Sequence, residues 1–193
     1  MRIIFSVLLL TFALHAKAQS IEKRWFLHEF GELRSYHDDW LAVCANKGQG
    51  HCRIVNYLLK SGESFYGENG ALTFGFFLNN GEIKNYLKIT APGVQHPYHS
   101  DILITFDYVK IPISGEKVLS GGFSPASKYN TANRVYDVFE TFSILDQVLI
   151  LALKDNMQNA RWLKIKYNDG EVKFSLKGFS SAYRAIVRLR YTE

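Results

Sequence analysis

The chain holds only two cysteines and four prolines in its 193 residues. Two thiols cannot build a four-cysteine zinc centre or a multi-disulfide scaffold. With proline scarce, no internal repeat and no Pro/Ser-rich tract, nothing marks a linker between domains. Serine-hydrolase signals are absent: Gly-x-Ser-x-Gly does not occur, and Ser175 and Ser180 have no recognisable partners. There is no P-loop and no dinucleotide fingerprint. Gly67-Glu68-Asn69-Gly70 and Ser120-Gly121-Gly122 are short and flank strand patterns as turns. Charge of one sign is also scarce. A net +5 does not argue for nucleic acid, although it permits weak attraction to anionic lipid or polysaccharide surfaces.

Long apolar runs are limited to the N-terminus. Arg2 precedes an apolar stretch from Ile3 to Leu14, and His15-Ala16-Lys17-Ala18 follows in a small-x-small pattern. This reads as a secretory signal over residues 1–18, cleaved before Gln19. An N-terminal anchor is the alternative, but a spanning helix needs roughly 20 apolar residues. Cleavage would leave residues 19–193 as one domain, with a net charge of +3 after loss of Arg2 and Lys17. In an oxidising compartment Cys44 and Cys52 are expected to pair as a disulfide. The rival is a metal site, for which two thiols without a second pair are poor ligands.

What is abundant is aromatic residues, at 15% of the chain. Short runs of alternating polarity point to strands. Trp40–Cys44 and Cys52–Leu58 flank a run of turn formers and read as a hairpin. Further strands are expected at Ala71–Leu78, Asn85–Thr90, Asp101–Tyr108, Lys117–Phe123 and Asn133–Thr141. Arg161–Tyr167 and Glu171–Leu176 form a second hairpin around Asn168-Asp169-Gly170. Gln147–Leu153 is continuous enough to be either a buried strand or part of a helix. Gly178–Arg184 suggests one helical turn, and Ile186–Tyr191 a last strand. Residues 19–36 suit a short helix or an edge strand. The expected fold is all-β: an antiparallel β-sandwich, immunoglobulin-like or jelly-roll-like, with one or two short helices.

No catalytic constellation stands out. His96, His99 and Asp101 are weak metal candidates, since two imidazoles and a carboxylate suit zinc or copper. Pro97 between them favours an ordinary loop. His37-Asp38-Asp39 offers an acid–base pair, but polar residues before a strand usually mark a turn. Among aromatics near loops, Tyr66, Tyr98 and Tyr129, with Phe65 and Tyr136, are candidates to stack on sugars or a partner, against the commoner role of filling cores. Arg184, Arg188 and Arg190 read as a solvated basic face. No cofactor is implied.

Several stretches together resemble one family. Asp39-Trp40-x-x-Val43-Cys44, then Gly48 and Cys52-Arg53-Ile54, is similar to the opening of the invasion-associated locus B family of exported bacterial proteins. Leu87–Val94 with the Ile102–Asp107 strand resembles its central segment, and Phe174–Tyr183 its closing segment. Residues 124–137 lack the second cysteine pair usual in that family, which would make this a divergent member. The resemblance implies a β-sandwich in the periplasm, at the outer membrane or secreted, linked to host-cell invasion or envelope function, without known enzymatic activity. It maps Cys44 and Cys52 onto the family's first disulfide. The expected function is therefore binding to a protein, envelope or glycan partner. The alternatives are a metal-dependent or glycan-active enzyme using the His96–His99 loop, or a purely structural envelope protein.

Overall fold

A computed structural model describes residues 25–58, 70–79, 82–94, 98–124, 134–136, 141–168 and 170–191. The expected signal segment, Phe65, Tyr66, His96 and Tyr129 lie outside these residues, as does the side chain of Tyr136. Two antiparallel sheets share one core in a sandwich-like arrangement, as the strand pattern implies.

The larger sheet begins as a meander. Strands β1 (Phe26–Leu27), β2 (Leu33–His37), β3 (Trp40–Cys44), β4 (Cys52–Tyr57), β5 (Ala71–Asn79) and β6 (Glu82–Thr90) pair in sequence order. The chain then crosses to the smaller sheet for β7 (Ile102–Phe106) and β8 (Val109–Ile113). It returns as β9 (Val118–Ser120), leaves again as β10 (Gly122–Ser124) paired with β11 (Arg134–Tyr136), and inserts β12 (Thr141–Ile144) between β6 and β9. Helix α1 (Gln147–Asn159) leads to β13 (Trp162–Tyr167) and β14 (Gly170–Ser175), which complete the smaller sheet in the order β14-β13-β7-β8. Helix α2 (Phe179–Tyr191) closes the fold.

The structure corrects some of the sequence expectations and decides between alternatives in others, for identifiable reasons. Lys117–Phe123 is not one strand, because Gly121 at φ +98 turns the chain between β9 and β10. Of the two readings open for residues 19–36, the described part takes the strand: β1 lies at the sheet edge and β2 beside it. Gln147–Leu153 is helical: the Asp146 carboxylate accepts a hydrogen bond from the Leu149 amide at 3.0 Å and caps α1. Val109–Ile113, unrecognised in the sequence, is an edge strand, the position where Pro112 costs no ladder bond. The expected final strand is the second half of α2, whose Phe179, Ala182 and Ile186 recur at helical spacing and are buried.

Helix α2 packs on the inner face of β2, β3 and β4. Phe179 meets Trp40 edge-on at 5.0 Å and Phe74 at 5.9 Å, and Tyr183 meets Phe74 and Phe76 at 5.8 Å each. Such edge-to-face contacts set the positive ring edge against the negative face. Gly178, at φ +93, admits the close approach of α2 to β2: a Cβ there would clash with the His37 carbonyl oxygen. Cys44 and Cys52 are cross-strand partners joined by a disulfide and fully buried beside this cluster.

Candidate functional site

The two sheets meet at one end of β3, β4 and β14. There the Ser175 carbonyl accepts two hydrogen bonds, from the Trp40 indole at 3.1 Å and the Asn56 amide at 2.9 Å. Both donors are buried, so this pairing removes the cost of leaving them unsatisfied and locks the sheets in register at that point. Outside this joint lies an open groove of about 420 Å³.

One wall of the groove comes from the β2–β3 hairpin and the end of β4, with Tyr36, Leu41 and Tyr57. The other comes from Trp162 at the start of β13 and Lys173 on β14. The three large rings are exposed: Tyr36 by 56%, Trp162 by 44% and Tyr57 by 37%. Phe26 stacks on Tyr36 with centroids 5.9 Å apart and extends the aromatic strip along the sheet edge. The Lys173 ammonium lies 4.2 Å from the Trp162 ring centroid, a cation–π contact that fixes both side chains.

Asp38 and Asp39 form the polar rim. They are the two residues between His37 and Trp40, which pair across the hairpin. Asp38 sits at φ +50, a left-handed conformation that Asp tolerates in turns. Its carboxylate pairs with Lys177 at 3.3 Å. His37 turns the other way, into the core, where its Nδ1 lies 2.8 Å from the Ser181 Oγ of α2. The sequence-level acid–base pair is therefore split between two faces. His37 ties β2 to α2, while the carboxylates face solvent.

Other sequence candidates fall elsewhere. Tyr98 is a core residue and not an exposed platform: it is 3% exposed and stacks on Phe142 at 5.2 Å. Asp101 accepts a hydrogen bond from the Gly115 amide at 2.8 Å, at the head of a 3-10 turn, so its carboxylate already serves the backbone. His99 is exposed, and its carbonyl packs against Gly115. Among the described residues no three His, Cys, Asp or Glu side chains cluster to hold a metal. Sequence reasoning missed Tyr36, Tyr57 and Trp162. Each falls at or next to a strand end, but only the fold brings the three together.

A second polar cluster lies near the β3–β4 turn. Glu32 bonds Arg34 at 2.6 Å and Arg53 at 3.0 Å. Burial raises the Glu32 pKa, but the hydrogen bonds and charges of the two arginines outweigh it and leave the carboxyl below its usual range. His51 is pushed down by burial and by Arg53. Burial, and then Arg53, also lower Lys88. On the same face Tyr86 lies over Gly75, its cross-strand partner, and burial pushes its hydroxyl up to about 12.

No described helix is long and apolar enough to cross a membrane. No family model matches the chain, and neither does any curated protein or solved structure.

Proposed function

We propose that this is an exported, non-enzymatic binding protein of the bacterial envelope, and that its ligand docks in the groove between the sheets. The observation that carries this reading is the set of exposed rings, Tyr36, Tyr57 and Trp162, held by both sheets around one open groove. A large ring left exposed at a rigid junction costs solvation and supplies a broad contact surface of low entropy. Export is supported by the N-terminal apolar stretch and by the disulfide. The ordered likeness to the invasion-associated locus B family supports an envelope or host-contact role.

Affinity chromatography of solubilised envelope and host-cell extracts on the immobilised protein tests the reading. The expected result is a component retained by the native chain and lost from a Tyr57→Ala/Trp162→Ala column. Equal retention on both columns places docking elsewhere. Turnover of a cell-wall or glycan substrate by the purified protein overturns the non-enzymatic role.

A further inference from the structure

Resting on the reading of the groove as a docking site, we propose that its ligand is an acidic polysaccharide, whose sugar rings enter the groove while its anionic groups lie along the outer face of the smaller sheet. The register defines that face. Lys173 pairs with Lys164, Lys164 with Thr105, and Thr105 with Lys110, so these four residues form one row across all four strands. Glu171, Lys166, Leu103 and Pro112 form the next row, and Ser175 with Trp162 the row at the groove end. The opposite face carries Ile104, Ile165 and Val172 and is buried in the core.

Lys164 and Lys173 stand directly opposite each other on neighbouring strands. Strand spacing is about 4.8 Å, and like charges so placed destabilise a sheet. A single acid on these rows, Glu171, relieves part of this through a 2.9 Å contact with Lys164. Among the described residues Lys110, Lys166 and Lys173 have no carboxylate within ion-pair distance. The row therefore presents a line of cations that folding alone does not favour. Lysines are point charges on flexible stems, suited to anionic groups spread along a chain rather than to one bidentate group.

Lys173 belongs to both surfaces. It stands in the lysine row and, over Trp162, lines the groove. A chain lying on the row therefore continues into the aromatic slot. At the slot mouth Asp38, already paired with Lys177, and Asp39 accept hydrogen bonds from sugar hydroxyls. A ring inside thus turns its hydroxyls to these carboxylates and its face to the aromatic rings, and its charged groups face the lysine row. A flat anionic bilayer cannot enter the slot, a phosphodiester chain offers few hydroxyls to these carboxylates, and an acidic peptide lacks the hydroxylated rings.

Binding of labelled polygalacturonate, hyaluronate and heparin oligomers to the full chain by fluorescence anisotropy tests this, with methyl-esterified polygalacturonate, polyglutamate, oligo-thymidylate and phosphatidylglycerol vesicles as comparisons. The expected result is binding of at least one acidic glycan that weakens with salt. It should fall about tenfold on Trp162→Ala and similarly on Lys164→Gln/Lys173→Gln, with circular dichroism and melting unchanged in the lysine variant. Where polygalacturonate is the glycan bound, esterification should weaken it comparably. Polyglutamate, oligo-thymidylate or vesicles bound as tightly as the best glycan would overturn the proposal, as would failure of all three acidic glycans. If those fail while the envelope component still depends on Tyr57 and Trp162, the groove stands and only the acidic class falls. If both dependences are absent, the groove reading falls as well.

Discussion

The two sheets differ in what covers them. In the larger sheet β3 is buried at every position and β12 likewise, so both faces are shielded there. In the smaller sheet β13 alternates strictly between exposed and buried, and β14 nearly so. Its inner face is apolar and its outer face is lysine-rich. The larger sheet is thus the scaffold, and the smaller one offers a whole face to solvent. The groove lies where the two meet, with Tyr36 and Tyr57 on the larger sheet's side and Trp162 beside Lys173 on the other.

This contrast is sharpest in the cost of substitutions. Phe74 on β5 is fully buried and touches Phe76, Phe179 and Tyr183. Phe74→Ala removes the contact that seats α2 and is expected to cost about 3–5 kcal/mol. Thr105→Ala, on the outer face of β7, should change stability by no more than about 0.5 kcal/mol. Urea midpoints for the two variants measure the difference. Comparable losses would mean that α2 does not hold the larger sheet.

The disulfide gives the next largest effect. It closes a turn eight residues apart between neighbouring strands of the scaffold sheet. Losing it by Cys44→Ser/Cys52→Ser should cost about 2–3 kcal/mol in the chain-entropy model, and melting in reductant should drop to match. The rest of the meander and the aromatic cluster would still fold. Equal melting of the native chain with and without reductant would contradict a bridge that stabilises.

A smaller, pH-dependent effect also belongs to the larger sheet. His51 titrates below its ordinary 6.5 in the fold because burial and Arg53 oppose its charge. The unfolded chain then binds more protons, so stability present above pH 6.5 is lost as pH falls towards the folded value. Glu32 adds a second loss of the same sign below its ordinary 4.5, despite its burial, because Arg34 and Arg53 hold it ionised. Chemical denaturation across pH should show both steps. His51→Gln should flatten the upper one and leave the lower.

The same contrast explains what could be read from the sequence. The β13–β14 hairpin was legible because one dry and one wet face impose a period of two on Trp162–Tyr167. The β3–β4 hairpin was legible from its turn residues and cysteines rather than from alternation. Helix α2 is legible only in its first half, as the helical turn at Gly178–Arg184; its second half reads as a strand because Ile186-Val187-Arg188-Leu189-Arg190 alternates in polarity, while Phe179, Ala182 and Ile186 also recur at helical spacing. The close seating of Gly178 against His37, a tertiary contact, accompanies the helical outcome. The aromatic groove was not legible at all, since Tyr36 and Tyr57 come from one sheet and Trp162 from the other. Tyr98 shows the converse: beside a loop in sequence, it stacks on Phe142 in the core.

The smallest expected effect lies on the bare face, and its sign is informative. Lys164 and Lys173 repel across β13 and β14, while Lys164 also gains from Glu171. Removing Lys173 deletes the repulsion and the contact with Trp162 but leaves the Glu171 pair intact. Cation–π contacts at exposed sites are worth about 0.5–1 kcal/mol, and a like-charge cross-strand pair costs roughly 0.2–1 kcal/mol. The two nearly cancel, so Lys173→Gln should shift stability by only a few tenths of a kcal/mol at low salt. Added salt screens the repulsion in the native chain but not the ring contact. Lys173→Gln should therefore become relatively less stable as salt rises. A salt-independent difference would mean that the two ammonium groups do not sense each other across the strands, and that the lysine row is merely a solvated face.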